Sequence, residues 1–463
     1  KIEITGAITI TGKGVYSNII SNKGKITATN TKLVSNGAYT NSQTGIRLIS
    51  NTGILNLNDT TIKHISGRYT YGIYNETGTV NIDGLITQEG GRAIDTYEGE
   101  VNITGTVTRE GTGTLIYLEQ KSSASEGTKL DIENATIVDN QTTSQMMYGD
   151  KGKIKIYNSN INAKTSVLGI GTNGVGVDIT IEKSKITSSN NTVISQYKGN
   201  TEIKDSDIIY NGTYSYGSIQ FRSTGNLTIT GESNITSTGE KAIELTSTGN
   251  TSIKGEVNVE GAKYGIYNSS TGTVTLGENN GEVDRTYPCI TGGEYGIYQS
   301  NSNGKFNFYD GQVKGKTGTI YGTITEIASG YEISKTNGDY YTDILVKSGV
   351  EVSVAKIGEV TYTSIQDAIA ACPEGTQKTI TIENNEGVQI YYDKDSDSLT
   401  DVYKDGLEVI YEPQDAVGPN IKNASYVYIN DEGVEITEPS ISFVTDINLA
   451  KKEYKHILNN QIA

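Results

Sequence analysis

The sequence predicts an all-β parallel solenoid of about twelve coils of about 25 residues, with a small α+β region after it. Two observations lead there. The composition is wrong for helices: Gly supplies 54 residues and Pro 5, there are 31 Tyr, 4 Phe and no Trp, and the apolar fraction is 34%. That fraction is below the roughly 45–50% of ordinary globular chains, and Gly and β-branched residues are poor helix formers. The second observation is a repeat: a Gly, then alternating apolar positions, recurring about twelve times between Gly24 and Gly304.

Clear copies of the first strand of each coil are Gly53-Ile54-Leu55-Asn56-Leu57, Gly78-Thr79-Val80-Asn81-Ile82, Gly99-Glu100-Val101-Asn102-Ile103 and Gly225-Asn226-Leu227-Thr228-Ile229. Within one period, Leu227 and Ile229 alternate, Gly231 turns, Asn234-Ile235-Thr236-Ser237 makes a second strand, and Ala242-Ile243-Glu244-Leu245 a third. Three short strands and three turns close one coil. Stacked coils pair each strand with its copies in parallel, and the inward Ile, Val and Leu build a thin shared core. At about 4.8 Å per rung, a dozen rungs give a rod of roughly 60 Å. Corners with positive φ suit Gly and tolerate Asn, and Pro is scarce because it cannot donate to a ladder. Asn at equivalent corners is placed to form hydrogen-bonded ladders.

The phrases Tyr71-Gly72-Ile73-Tyr74-Asn75, Tyr264-Gly265-Ile266-Tyr267-Asn268 and Tyr295-Gly296-Ile297-Tyr298-Gln299, and the run from Phe306-Asn307-Phe308-Tyr309-Asp310-Gly311 to Lys314-Gly315, are of the kind found in such repeats. Over residues 1–348 the chain resembles bacterial surface proteins of the right-handed parallel β-helix class, similar in fold to pectate lyases. The resemblance implies right-handedness, secretion and a bacterial cell surface. It does not select a function, because this fold carries lyases, hydrolases, adhesins and fibres alike.

The rhythm breaks after Val346. Residues 349–390 read as a β-α-β cap: a strand at 352–357, a short helix at 363–372 with Ile365, Ala368, Ile369 and Cys372 on its apolar face, a stop at Pro373, and a strand at 378–382. Residues 391–463 are acidic, with strand signals at 408–411 and 426–429, and 447–462 have the spacing of an amphipathic terminal helix. Within them, Asp393, Asp395, Asp397 and Asp401 stand at alternate loop positions that suit oxygen coordination of Ca²⁺. The segment resembles bacterial surface calcium loops, although Ser398 replaces the turn Gly and Lys404 stands where a bidentate Glu belongs. A solvated acidic loop is the alternative.

The net charge of −16 disfavours a nucleic-acid partner, and no stretch approaches 18 apolar residues, so no membrane span is expected. Cys289 and Cys372 form no metal pattern. His64, Arg68 and Asp59 share a coil but read better as solvated surface. Asp95, Glu119 and Glu244 take similar third-strand positions in coils with different neighbours, so no compact acidic cluster is expected, and no catalytic residue is assigned. Tyr74, Tyr117, Tyr267 and Tyr298 follow the inward Ile of a third strand and therefore point outward. Tyr264, Tyr267, Tyr295 and Tyr298, in adjacent coils, are the expected contact patch, suited to sugar rings or to a protein partner.

These readings point to an extracellular, non-enzymatic surface protein of a bacterium, an adhesin or a structural stalk, contacting a host or surface glycan or protein. The chain opens in mid-pattern at Lys1-Ile2-Glu3-Ile4, so either an upstream module or a second copy is expected to cover that end. A filament of head-to-tail copies is the alternative function, and a polysaccharide lyase or glycoside hydrolase the second alternative.

Overall fold

The computed structural model describes residues 2–348 except 6–8, 13–17, 36–46, 65–70, 89–90, 120–126, 172–174 and 216; beyond them it describes ten short strands between residues 355 and 458. All regular structure among the described residues is β. The chain divides into two compact units. The first comprises Lys1–Gly277, Pro288–Asn307 and Ile320–Glu326, the second Glu278–Tyr287, Phe308–Thr319 and Ile327–Ala463.

The first unit is the parallel solenoid the repeat predicts. Third strands stack into a sheet of thirteen, running from Asn18–Asn22 to Gly318–Tyr321, and neighbouring strands in it pair parallel and in register, as Tyr71–Asn75 with Arg92–Thr96 and Tyr264–Asn268 with Tyr295–Gln299. One inward position forms a column: Ile49, Ile73, Ile94, Ile116, Met147, Leu168, Ile194, Ile219, Ile243, Ile266 and Ile297, each at most 2% exposed. Steps along the column range from 21 residues, Ile73 to Ile94, to 31, Ile116 to Met147. Loops absorb the difference, so the register survives. First strands supply a second pair of columns, such as Leu55 and Leu57, Val80 and Ile82, Val101 and Ile103, Leu130 and Ile132, all at most 1% exposed. Each such side chain contributes about 1.5–3 kcal/mol on burial.

Corners explain the glycines and asparagines. Between first and second strands the backbone turns through positive φ in successive coils, at Asn30 (51°), Asp59 (45°), Gly84 (89°), Gly105 (64°), Asn134 (53°), Asn158 (45°), Lys183 (50°), Asp205 (48°), Gly231 (68°) and Gly255 (83°). Gly, Asn and Asp are the residues that enter this region at least cost. Lys183 is the exception.

Polar ladders run beside the apolar columns, as the asparagine-rich corners suggest. Asn22 Nδ2 donates to Asn51 Oδ1 at 2.7 Å, and Asn51 Nδ2 to Asn75 Oδ1 at 2.8 Å, all three buried. Asn75 Nδ2 continues to Thr96 Oγ1 at 3.2 Å and to the Gly78 carbonyl at 2.9 Å. A serine ladder takes over at another corner. The backbone N–H groups of Ser159, Ser184 and Ser206 donate to the hydroxyls of Ser184, Ser206 and Ser233 at 3.0–3.1 Å. The hydroxyls of Ser159, Ser184 and Ser206 donate to the carbonyl two residues back at 2.7–2.8 Å. These bonds satisfy corner groups that would otherwise be buried without partners.

The second unit is antiparallel where its pairings are described. Strand Tyr341–Lys347 pairs with Gln312–Gly315 and with Tyr331–Asn337, over a core of Phe308, Val313, Leu345 and Val346. The expected strands at 378–382, 408–411 and 426–429 appear as Gln377–Ile382, Glu408–Tyr411 and Ala424–Ile429. The expected helix at 363–372 lies outside the described residues.

The terminal segment corrects the sequence reading. Within 447–462, Ile447–Ala450 is a strand paired with Gln377–Ile382, and Lys455–Leu458 a strand paired with Ala424–Ile429. The apolar residues that fit a helical spacing over the whole span also fit two short strands, Ile447 and Leu449 alternating in one and Ile457 and Leu458 adjacent in the other. Asn448, Asn459 and Asn460 lower its helical preference. Open strand edges win the competition.

Candidate functional site

Parallel, in-register stacking turns the outward positions of the third strands into rows along one face of the solenoid. Ile73↔Ile94 and Ile94↔Ile116 bring Tyr74, Asp95 and Tyr117 into one row, which continues to Tyr148. Farther on, Gln220, Glu244, Tyr267 and Tyr298 extend the same row. Gly169 and Ser195 lie between the two stretches, so the middle of the row is nearly bare of side chains.

The four tyrosines of the expected contact patch, Tyr264, Tyr267, Tyr295 and Tyr298, lie together. Tyr267 and Tyr298 stack with centroids 5.6 Å apart and planes within 7°, and Tyr298 stacks on Tyr321 at 4.5 Å and 7°. Tyr264 packs against Tyr267 at 5.6 Å and Tyr298 at 4.8 Å, and Tyr295 meets Tyr298 at 5.6 Å and Tyr321 at 5.8 Å in edge-on geometry. Sequence reasoning missed Tyr321, which stands in Gly318-Thr319-Ile320-Tyr321, a third strand without the Tyr-Gly-Ile-Tyr phrase. Its signal was the Ile-Tyr pair alone. Stacking covers much of the ring faces, so the patch presents phenol edges and hydroxyls. Lys241 Nζ caps the column 4.3 Å from the Tyr267 centroid, and pairs with Glu244 Oε1 at 2.6 Å.

A second cluster occupies the coils around residues 47–150. Arg92 donates to Asp95 Oδ2 at 2.7 Å and stacks 3.4 Å above the Tyr117 centroid. Arg47 stacks 3.4 Å above Tyr74, and Tyr74 packs against Tyr71 at 6.1 Å and Tyr97 at 5.9 Å. Tyr117 stacks on Tyr148 at 5.1 Å and donates its hydroxyl to Asp150 Oδ2 at 2.8 Å. Burial pushes Tyr74 up to about 12, against the pull of Arg47.

Here the structure corrects the expectation of scattered acids. Asp95 lies in register with Tyr117, and Glu119 follows Tyr117 by two residues on the same face, so the Asp95 and Glu119 carboxyls meet across adjacent coils. Different neighbours in sequence did not separate them, because neighbours on this face come from adjacent coils. Asp95 is fully buried, and burial raises its pKa against the opposing pull of Arg92. Asp95 Oδ1 has no hydrogen-bond partner, and the Glu119 carboxyl beside Asp95 supplies a hydrogen bond only while one of the two is protonated. Burial, and then the Asp95 charge, push Glu119 up to about 7. Glu244 stays apart, with Lys241 and Gln220.

The other faces are chemically different. Asn56, Asn81 and Asn102 form an outward amide ladder with bonds of 2.9 Å, beside a shallow hollow that Asn58 and Asp83 also line. Among the described residues no group of three or more His, Cys, Asp or Glu is arranged to hold a metal ion, and no helix is long and apolar enough to cross a membrane. Asp393 ends strand Ile390–Asp393, which pairs with Ser398–Thr400; Asp395, Asp397 and Asp401 lie outside the described residues, as does Arg68 beside His64. Cys289 is half-buried with Sγ 3.7 Å from the Thr291 hydroxyl, and Cys372 lies outside the described residues.

Comparisons with family models, with curated proteins and with solved structures find no match to this chain.

Proposed function

We propose that the chain is an extracellular, non-enzymatic surface protein of a bacterium, and that the third-strand face of its solenoid binds a surface glycan. One observation carries this reading: nine tyrosine–tyrosine contacts gather on that face. A solenoid needs only apolar columns and corner ladders to stack. Concentrating rigid phenols, with Gln220, Glu244 and Lys241 beside them, on one side supplies hydrogen-bonding groups at low entropy cost, which suits recognition of a hydroxylated polymer.

The test is a glycan array probed with the purified chain and with Tyr298→Ala. Tyr298 touches four rings, so its removal should weaken binding at least tenfold. Binding to no glycan, or equal binding by the variant, contradicts the reading.

The Asp95–Glu119 pair favours a second reading, a glycoside hydrolase with Glu119 as general acid, since a carboxyl titrating at about 7 keeps a large protonated fraction at neutral pH. Against it, Asp95 is closed off from solvent and bound by Arg92, so it is poorly placed to act as nucleophile or to activate water. Release of reducing ends from a bound glycan, lost in Glu119→Gln, would establish it.

A further inference from the structure

Three third strands carry the same arrangement: a cation at the first position of the strand, a second residue three positions on, and stacking of the cation on the outward tyrosine of the next coil. In the first, Arg92 stacks on Tyr117 and is neutralised by Asp95 at 2.7 Å. In the second, Lys241 lies over Tyr267 and is neutralised by Glu244 at 2.6 Å. In the third, Arg47 stacks on Tyr74, but the residue three positions on is Ser50. The registers match: Ser50↔Tyr74, Asp95↔Tyr117 and Glu244↔Tyr267. Among the described residues the Arg47 guanidinium forms no ion pair; the carboxylate whose charge it feels, Asp95, is bound by Arg92.

We propose that Arg47 is an anion-binding residue, and that the carboxylate of an acidic saccharide supplies the counter-charge that Asp95 and Glu244 supply in the other two strands. The inference rests on the glycan-binding reading and deepens it by assigning a charged subsite. Guanidinium donors lie in one plane in a fork that matches a carboxylate bidentately, and stacking on Tyr74 holds that plane in place. Arg47 is half-buried, so a bound carboxylate is partly shielded from salt. Tyr71 and Tyr74 are neutral at physiological pH and do not compete for the guanidinium.

The charged and titrating groups of this region define how binding varies with pH. Glu119 faces Asp95, Arg92 and Asp150, and its charge is also felt at Tyr71 and Tyr74. Its ionisation adds negative charge near the subsite, so an anionic ligand binds more weakly above neutrality than at pH 5.5.

The experiment is calorimetric titration of the full chain with a glucuronate-containing tetrasaccharide and with the same tetrasaccharide after reduction of its carboxylates to alcohols. The acidic form should bind at least tenfold more tightly. Arg47→Gln should bring the two to equal affinity. Ser50→Asp, which installs the acid found in the other two strands, should do the same while raising the melting temperature, which separates occlusion from misfolding. Equal affinity of the two forms for the unmodified chain, or an acidic preference that survives Arg47→Gln, overturns the subsite and leaves the glycan-binding reading standing. If neither form binds, the glycan-binding reading fails by itself, and sulfate decides the subsite: a sulfate-induced thermal shift present in the unmodified chain and absent in Arg47→Gln supports it, and equal shifts overturn it.

Discussion

Glu119 shows how one side chain takes its properties from the stack rather than from its own segment. Its ordinary pKa is 4.5, and in the fold it is pushed up to about 7 by burial and by Asp95 in the preceding coil. The native state therefore holds the proton more tightly than the unfolded chain. The stabilisation is complete below about 4.5, is lost as pH rises to about 7, and changes no further above that. Glu119→Gln keeps a donor toward Asp95 and cannot ionise. Its melting temperature should exceed that of the unmodified chain at pH 8 and match it near pH 4, and a constant difference between the two across this range would contradict the shared-proton account. Lys183 is the opposite case, a residue the stack tolerates. It enters the left-handed region at φ 50° where nine other corners use Gly, Asn or Asp, and its N–H bond to the Lys204 carbonyl at 3.1 Å and its ammonium 5.7 Å from the Tyr157 ring are set against that cost.

Single coils are held to each other by whichever groups the corners and loops bring into line. The step from Ile116 to Met147 is ten residues longer than the step from Ile73 to Ile94, and Arg109, from the preceding coil, bonds to the later part of that longer coil. That side chain is 1% exposed. Its Nε and Nη2 donate to Asp139 at 2.7 Å each, and its remaining donors reach the carbonyls of Gly113 at 2.6 Å, and of Gln145 and Ser144 at 3.2 Å. Removing one partner of such a pair leaves an uncompensated buried charge. Arg109→Met should cost about 3–5 kcal/mol in chemical denaturation, and a loss below about 1 kcal/mol would mean that water replaces the guanidinium. Alternation places Arg109 on the inward side with Val107, but its partner, Asp139, is 30 residues away and is not marked by anything near it in sequence. The strands themselves were legible, because alternation and glycine spacing are local properties, and so were the positive-φ corners. The terminal strands were not, since short apolar runs fit either period and the deciding edges, Gln377–Ile382 and Ala424–Ile429, are far off in sequence.

For the molecule as a whole, the solenoid converts a sequence period into rows of side chains on separate faces. Asn22, Asn51 and Asn75 make an internal ladder, Asn56, Asn81 and Asn102 an external one, and the tyrosines of the third strands a face of their own. The repeated phrase Tyr-Gly-Ile-Tyr located four of the five rings in the patch at 264–321. It did not reveal that the rings stack on one another, nor that Asp95 and Glu119 meet, because both depend on the lateral reach of side chains between coils. The assignment of the tyrosine face as the contact surface is tested most directly by changing two faces separately and measuring binding to the same glycan. Tyr267→Ala with Tyr298→Ala removes the aromatic column, and Asn81→Ala with Asn102→Ala removes outward amides from another face. The account predicts at least a tenfold loss of affinity in the first variant and less than a twofold change in the second. Equal losses, or a larger loss from the asparagine face, would contradict it.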